Sequence, residues 1–184
     1  MRIIGGELKG RKLLSARGYH TRPTADRTRE AIFNILGSRV HGAMVLDLFA
    51  GTGALGIESI SRGAKRVLFI DTHKRAISVL KRNLDAFSLE KKTTVIQWNI
   101  LKNLDCIQSI DHAVDLAFMD PPYNKHLIEP SLFNLHCSGC LASGARLIVE
   151  HSQFEVMPQS DLPFELMDQR QYGKTLVSFL EGML

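Results

Sequence analysis

The chain has 184 residues, 45% of them hydrophobic and 23% charged, the size and composition of one globular domain with a substantial core. No apolar run approaches the roughly 18 residues that span a bilayer, and the N-terminal "MRIIGGELKG" lacks the apolar stretch of a secretory signal. Three cysteines cannot all pair with one another, which is typical of a reducing compartment. The sequence therefore predicts a cytoplasmic protein without a membrane association.

The net charge of +4 is concentrated at the N-terminus. Residues 1–40 carry nine basic side chains against three acidic ones, so the rest of the chain is slightly acidic. The nine are Arg2, Lys9, Arg11, Lys12, Arg17, Arg22, Arg27, Arg29 and Arg39. Such a patch fits a polyanion such as nucleic acid, which binds through phosphate contacts and counterion release. Charge alone leaves open the alternative of a solvated basic face.

The first elements in chain order form an extension ahead of the main pattern. Residues 2–14, "RIIGGELKGRKLL", predict a small hairpin turned by glycines. The stretch "TADRTREAIFNIL" then predicts a helix that begins at Thr24, after Pro23. Four apolar residues are expected on its buried face: Ala31, Ile32, Ile35 and Leu36. Residues 1–40 are therefore expected to be a basic extension packed on the domain formed by residues 41–184.

From residue 43 onward, strand patterns alternate with helix patterns. The predicted strands are "AMVLDLF" (43–49), "RVLFID" (66–71), "TTVIQW" (93–98), "VDLAFMD" (114–120) and "RLIVEH" (146–151). The predicted helices cover about 53–63, 76–87, 100–110 and 127–137. Near-continuous apolar strands that alternate with helices are typical of a mainly parallel sheet covered on both faces.

The last part of the chain breaks this alternation. "FELMDQRQYGKTLVSFLE" predicts two strands joined by a short turn at residues 172–174, and hence an antiparallel edge. Together with the five earlier strands, this predicts an α/β protein with a mainly parallel, seven-stranded, Rossmann-like sheet and an antiparallel C-terminal edge.

A glycine-rich turn lies between the first predicted strand and the following helix. Gly51, Gly53 and Gly56 in "DLFAGTGALG" have the spacing of loops that approach a nucleotide closely, because glycine permits tight backbone turns. Asp71 ends the second strand, where an acid accepts hydrogen bonds from ribose hydroxyls. The pattern predicts a nucleoside cofactor. A glycine-rich turn beside a solvent-facing acid is the structural alternative.

Asp47 decides between cofactors. It lies at the carboxyl end of the first strand, close to the loop, where the pyrophosphate of a dinucleotide would be repelled by a carboxylate. S-adenosylmethionine carries adenosine, a sulfonium and an ammonium group, and it has no phosphate. Asp47 therefore favours a methyltransferase over a dehydrogenase.

The fourth strand ends in "DPPY", in which the prolines cannot continue a sheet ladder. Asp120 and the Pro121 carbonyl offer two hydrogen-bond acceptors, held by the stiff turn, for the N–H bonds of an exocyclic amine. Tyr123 can stack on the face of a flipped nucleobase. The pattern predicts a catalytic set of Asp120, Pro121 and Tyr123. A strand end with a capping acid and a core tyrosine is the alternative.

These motifs together resemble those of class I S-adenosylmethionine-dependent amino-methyltransferases. The resemblance implies that S-adenosylmethionine is bound and S-adenosylhomocysteine released. It also implies seven cofactor-binding positions: Asp47, Phe49, Gly51, Gly53, Asp71, Asn99 and Ile100. Asn99 departs from the aspartate common at its position, so its contact with the adenine is the least defined of the set.

A narrower resemblance covers nearly the whole chain. "RIIGGELKGRKL", "RPTADRTREAIFNIL", "DLFAGTGALGIESISRGA", "DPPY" and "QYGKTLVSFL" are together similar to the bacterial 16S ribosomal RNA guanine-N2 methyltransferases. This implies that Arg22, Thr24, Arg27 and Arg29 lie near the mouth of the active site and face RNA. With Arg2, Lys9, Arg11 and Lys12, these arginines form the predicted RNA-binding set. The expected partner is ribosomal RNA or an assembling small subunit, with no obligate protein partner.

Two alternative functions remain at this level. DPPY also suits adenine-N6 methylation of RNA or DNA, because any planar exocyclic amine presents similar N–H bonds. A non-catalytic RNA-binding module with a vestigial cofactor pocket is the alternative of another class. "HCSGC" (136–140) contains a Cys-x-x-Cys beside a histidine, but it lacks a second pair at zinc-site spacing. No metal is predicted.

Overall fold

The computed structural model describes residues 1–15, 23–108, 113–155, 157 and 162–183, with the side chains of residues 23–25 excepted. Its helices are α1 (Pro23–Leu36), α2 (Ala54–Ser61), α3 (Lys74–Ala86) and α4 (Ile128–Cys137). Its strands are β1 (Met44–Leu48), β2 (Arg66–Asp71), β3 (Thr93–Gln97), β4 (Val114–Met119), β5 (Leu141–Ser152), β6 (Phe164–Tyr172) and β7 (Thr175–Gly182).

The seven strands form one sheet in the order β3-β2-β1-β4-β5-β7-β6. β1 to β5 pair in parallel, whereas β7 pairs antiparallel with both β5 and β6. The predicted seven-stranded sheet with an antiparallel C-terminal edge is confirmed. The order places β7 inside the sheet and makes β6 the edge, an arrangement that the strand patterns did not specify.

Two apolar clusters cover the two faces of the sheet. On one face, α1, α2 and α3 contribute side chains such as Phe33, Ile57 and Leu80. On the other, α4 and the segment after β3 contribute residues such as Leu132 and Ile100. The central strands β1, β2 and β4 are buried almost throughout, because both faces of the sheet are covered, whereas β3 at the edge is only half-buried. None of the helices in the described ranges is long and apolar enough to cross a membrane.

The buried face of α1 differs from the prediction at one position. Ile35 is 44% exposed, whereas Phe33 is buried along with Ile32 and Leu36. Residues 29, 32, 33 and 36 share one side of a helix at about 100° per residue, and Ile35 falls outside that stripe. The prediction for Ile35 was therefore wrong, and Arg29 takes a place on the buried side.

Over residues 100–108, the part of the predicted helix of about 100–110 that the structure describes, there is no α-helix. A single 3-10 turn at Asp105–Ile107 stands in its place. The buried residues Ile100, Leu104 and Ile107 imitate helical spacing. However, the Asn99 side chain accepts a hydrogen bond from the backbone N–H of Leu101, and such local bonds compete with an α-helix.

The predicted N-terminal hairpin is present as a short antiparallel pairing, with a bridge between Arg2 and Lys12 and backbone hydrogen bonds from Ile3 to Arg11 and from Gly10 to Ile3. Gly6 and Gly10 take positive φ angles in the turn of this hairpin, as the glycine-turned pattern predicted. The buried carboxylate of Glu58, on α2, accepts hydrogen bonds from the backbone N–H groups of Ile4 and Gly5, both at 2.8 Å. The contacts fix the segment to the main sheet's helical layer.

Candidate active site at the carboxyl edge of the sheet

The strand order reverses between β1 and β4, which lie side by side. In an open α/β sheet the carboxyl ends of the strands at such a point form a crevice that binds ligands. Asp47 near the end of β1, Asp71 at the end of β2 and Asp120 just after β4 therefore meet at one edge. The fold brings together the predicted glycine loop and the DPPY turn.

The glycine loop turns sharply between β1 and α2. Phe49, Gly51 and Gly53 have φ angles of 60°, 55° and 85°. A Cβ at Gly53 would lie 2.3 Å from Cδ1 of Leu80, so this glycine is required by packing as well as by conformation. A Cβ at Gly51 would meet only the Phe49 carbonyl oxygen, at 3.9 Å. The Gly51 side of the loop is thus open for a ligand to approach the backbone.

Asp71 ties the loop to β2. Its two carboxylate oxygens accept backbone hydrogen bonds, one from Gly51 at 2.7 Å and one from His73 at 2.7 Å. Oδ1 also lies 3.2 Å from a ring nitrogen of His73, whereas Oδ2 has the Gly51 bond alone and a second lone pair for a further donor. Asp71 positions the loop and can still accept hydrogen bonds from a ligand.

Asp47 is buried beneath the same loop. It accepts a hydrogen bond of 2.9 Å from the backbone N–H of Gly56, in the first turn of α2, and so caps that helix. Burial raises the pKa of Asp47 to about 8, even though the Gly56 hydrogen bond acts in the opposite direction. The nearby charge of Asp71 raises the pKa further. A cationic ligand above the loop would favour the ionised form.

Asn99 and Ile100 follow β3 at the neighbouring position of the edge. The Asn99 carboxamide oxygen accepts a 3.0 Å hydrogen bond from the Leu101 backbone, so it holds a local turn, while the residue itself is exposed. Ile100 is buried, and its carbonyl accepts a hydrogen bond from Asn134 at 2.8 Å. The structure therefore places both residues at the edge and anchors the Ile100 backbone to α4.

The DPPY turn faces the glycine loop across the crevice. Pro121 is buried, while Asp120 remains open to solvent from the crevice side. The surrounding protein partly desolvates the Asp120 carboxyl, although part of the residue remains exposed, and this desolvation raises its pKa well above the usual range. The charges of Glu150 and Asp47 raise the pKa further. Three acids from three adjacent strands thus make a pocket that suits cationic groups and N–H donors.

Tyr123 is held by two partners that sequence reasoning left out of the site. Its hydroxyl donates a 2.7 Å hydrogen bond to Glu150, at the end of β5, and lies 3.3 Å from the Thr175 hydroxyl. Desolvation and the Glu150 charge raise the pKa of Tyr123, so the hydroxyl keeps the proton that it donates. The position of Glu150 at a strand's carboxyl end was the available signal, but its pairing with Tyr123 depends on the fold.

His151, the neighbour of Glu150, has a structural position. It is fully buried, and one ring nitrogen lies 2.8 Å from the Ser178 hydroxyl. Burial lowers the pKa of His151. This arrangement joins β5 to β7 beneath the pocket.

The basic set predicted to bind RNA is divided by the structure. Five members are exposed: Arg2, Lys9, Arg11, Lys12 and Arg27. Arg22 and the Thr24 side chain lie outside the described residues. Arg29 is only 4% exposed, and its guanidinium contacts Asp26 and Glu58. The prediction that Arg29 faces RNA is therefore wrong, because its place on the buried side of α1 makes it a partner of Glu58.

The "HCSGC" stretch shows no metal-like arrangement. Cys137 is exposed and Cys140 is half-buried, and both are free thiols. Across the ranges that the structure describes, no group of three or more histidine, cysteine, aspartate or glutamate side chains could hold a metal ion.

A family model described as conserved hypothetical protein 95 matches residues 1–181. The chain belongs to this family. The solved structure of yhhF from Escherichia coli superposes with a TM-score of 0.83 at 30% identity, covering 99% of this chain and 97% of that one.

Two curated relatives carry functional names. Ribosomal RNA small subunit methyltransferase D of Haemophilus influenzae is 37% identical over 151 residues, covering 82% of this chain and 78% of the relative. The protein of the same name from Escherichia coli K12 is 36% identical over 150 residues, covering 82% and 74%. The resemblance to small-subunit ribosomal RNA methyltransferases is confirmed, and the fold is that of class I methyltransferases.

Proposed function

We propose that this protein transfers a methyl group from S-adenosylmethionine to the exocyclic N2 amine of a guanine in small-subunit ribosomal RNA. The observation that carries the proposal is the DPPY turn facing an open glycine loop at the reversal point of the sheet. The names of the two relatives support ribosomal RNA as the substrate. Such a substrate implies that the protein acts in the cytoplasm.

The residues of the crevice fit S-adenosylmethionine. Gly51 leaves space at the loop for a ligand, Asp71 has a free lone pair for a ribose hydroxyl, and Asp47 offers a carboxylate near a cation. Phe49, Gly53, Asn99 and Ile100 complete the proposed set. When bound, the cofactor supplies an electrophilic methyl group on its sulfonium and leaves as S-adenosylhomocysteine.

Asp120, Pro121 and Tyr123 act on the substrate amine. The lone pair of this amine is delocalised into the base, which makes the nitrogen a poor nucleophile. The Asp120 carboxylate and the Pro121 carbonyl accept hydrogen bonds from its N–H groups and favour a tetrahedral nitrogen with its lone pair directed outward. The nitrogen forms its bond to the methyl as the sulfonium bond breaks, and the N–H proton that it then loses leaves through Asp120 to solvent. Because the acceptors are fixed before the substrate arrives, they contribute as preorganised electrostatics. Tyr123 stacks on the base, which offsets part of the cost of flipping it out of the RNA.

The exposed basic residues of the N-terminal segment form the proposed RNA surface: Arg2, Lys9, Arg11, Lys12 and Arg27, together with Arg22. Arg11 also lies over the Phe87 ring, with its guanidinium carbon 4.4 Å from the ring centroid. That contact holds the arginine in place while its charge remains available to phosphates.

The decisive experiment is methylation of ribosomal RNA from a strain that lacks this protein, with the product nucleoside identified by mass spectrometry and mapped. Formation of N2-methylguanosine at one small-subunit position is expected. N6-methyladenosine would establish the alternative amine. Absence of both methylation and S-adenosylmethionine binding, measured by calorimetry, would indicate the non-catalytic RNA-binding module.

A further inference from the structure

A short turn after β5 exposes an aromatic ring beside the crevice. Phe154 is 74% exposed and follows the carboxyl end of β5 by two residues. Residues 152–155, together with residues 172–175 at the turn between β6 and β7, are named here the β5 rim. Large apolar side chains are usually mostly buried in a folded protein, so a ring as exposed as that of Phe154 indicates a surface that binds a partner.

The exposure of Phe154 is imposed by a fixed backbone. Its N–H donates a 3.2 Å hydrogen bond to the Ser152 hydroxyl, and the Glu155 N–H donates to the Ser152 carbonyl at 3.0 Å. The buried Glu155 carboxylate in turn accepts a 3.3 Å hydrogen bond from the Ser152 N–H. Glu155 points inward from this turn, which leaves Phe154 on the outer side. The ring is therefore presented to solvent by an ordered turn.

The β5 rim is continuous with the proposed substrate pocket. Ser152 pairs with Thr175 in the sheet, and the Thr175 hydroxyl lies 3.3 Å from that of Tyr123. The Gln153 N–H donates a 3.1 Å hydrogen bond to the carbonyl of Lys174. The turn that carries Phe154 therefore begins at Ser152, the residue paired with Thr175, and Thr175 in turn contacts Tyr123, the proposed base-stacking residue.

The side chains of the rim suit a nucleotide. A nucleobase of any sequence offers a face that can stack on an aromatic ring, and an adjacent lysine can contact its phosphate. Phe154 supplies the ring, and Lys174, also exposed, supplies a positive charge. The acid of the turn, Glu155, is buried and directed at Ser152, so it does not oppose an RNA backbone at the surface.

We propose that Phe154 stacks on an unpaired nucleobase next to the target nucleotide, with Lys174 contacting the RNA backbone. This inference rests on the proposed function, since the neighbouring base is defined by the one that enters the pocket. A flipped target leaves its neighbours partly unstacked, and Phe154 replaces the lost stacking partner. The rim would select RNA in which the target lies in a loop.

The test compares F154A with F154W and with the matched control F133A. Phe133 is also strongly exposed, at 55%, but it lies on the outer side of α4. Steady-state methylation of the RNA substrate should show KM for RNA raised about fivefold or more in F154A, with kcat and the affinity for S-adenosylmethionine unchanged. F154W should retain the wild-type KM, and its added fluorescence should be quenched by RNA. F133A should match the wild type.

Equal KM values for F154A and the wild type would overturn the inference, as would an equal loss in F133A. Loss of activity on a small-subunit particle with unchanged binding of F154A to protein-free RNA would also overturn it, because the ring would then contact a ribosomal protein. K174A should reduce the slope of log RNA affinity against log salt concentration by about one, the value expected for the loss of one phosphate contact. Failure of the proposed function appears separately, as a wild-type protein that methylates no ribosomal RNA.

Discussion

The two sides of the crevice use the same chemical group in different ways. On the proposed cofactor side, Asp47 and Asp71 accept hydrogen bonds from the backbone of the glycine loop and of the starts of the helices that follow. On the substrate side, Asp120 is open to the crevice, and no hydrogen bond to its carboxylate is found among the described residues. The proposed cofactor side is held in shape by its acids, whereas the carboxylate of Asp120, on the proposed substrate side, makes no such contact with the described backbone.

This difference has a physical basis. A loop with several residues at positive φ needs external hydrogen bonds to keep one conformation, and buried carboxylates provide them. The DPPY turn is stiffened instead by two prolines, which fix φ without hydrogen bonds. Its acid is therefore not needed for the fold, and variants of the two sides should fail in different ways.

The largest effect is expected for D120N. Because an amide oxygen is a weaker acceptor than a carboxylate, kcat for methyl transfer should fall by about 10²–10³, while the affinity for S-adenosylmethionine measured by calorimetry stays within a few-fold. The wild-type rate should also rise with pH through the raised pKa of Asp120, since only the ionised carboxylate is a full acceptor. Comparable loss of cofactor affinity in D120N would break the distinction between the two sides.

G53A and G51A form a matched pair on the cofactor side. Both positions have positive φ, but only at Gly53 would a Cβ meet the buried Leu80. G53A should lower the free energy of unfolding by about 2–4 kcal/mol, combining backbone strain and overpacking. G51A should cost about 1 kcal/mol, from conformation alone. Urea denaturation measures both, and equal costs would contradict the packing role of Gly53.

E150A tests how Tyr123, the proposed stacking residue, is held. Losing the acceptor of the Tyr123 hydroxyl should lower kcat by about tenfold, in line with a hydrogen bond to a charged group. E150Q keeps an acceptor oxygen and should recover most of the rate. Y123F should resemble E150A, and the double variant should lose little more than either alone, because both remove the same interaction. Additive losses would show that Glu150 acts independently of Tyr123.

The smallest effect is a pH dependence of stability at Asp47. Its pKa of about 8 in the folded protein lies above the ordinary 3.8. The folded protein therefore binds the Asp47 proton more tightly than the unfolded chain does. The resulting contribution to the free energy of unfolding is fully present below about pH 4 and is lost as the pH rises to about 8. The side chain introduced by D47N is neutral at every pH, and its amide oxygen can still accept the hydrogen bond from the Gly56 N–H. The D47N protein should be more stable than the wild type at pH 8, on the order of 1 kcal/mol, but not at pH 4.

Urea denaturation at the two pH values measures this difference, and calorimetry of the same variant reports the contribution of Asp47 to cofactor affinity. A D47N protein that is less stable than the wild type at pH 8 would show that the ionised carboxylate, rather than the neutral acid, supports the fold.

Local patterns predicted most of the sheet and both motif-bearing turns. Apolar strand patterns, turn-forming glycines and the prolines of DPPY determine the local backbone conformation. They can therefore be recognised from residues that are close together in the sequence. The failures have a common cause. Ile35, Arg29 and the segment after residue 100 have sequence patterns compatible with more than one arrangement, and side-chain contacts with distant groups or with the local backbone selected the observed one.

The sequence by itself determined the α/β alternation, the antiparallel C-terminal edge, and the acids and glycines that end the strands. Only the tertiary structure decided that Glu150 and Thr175 hold Tyr123, that Glu58 fixes the N-terminal segment, and that Phe154 stands exposed beside the pocket. The reason is distance along the chain. Tyr123 and Thr175 are 52 residues apart along the chain, and Ile4 and Glu58 are 54 residues apart. No local sequence pattern encodes contacts over such separations, because only the folded sheet brings these partners together.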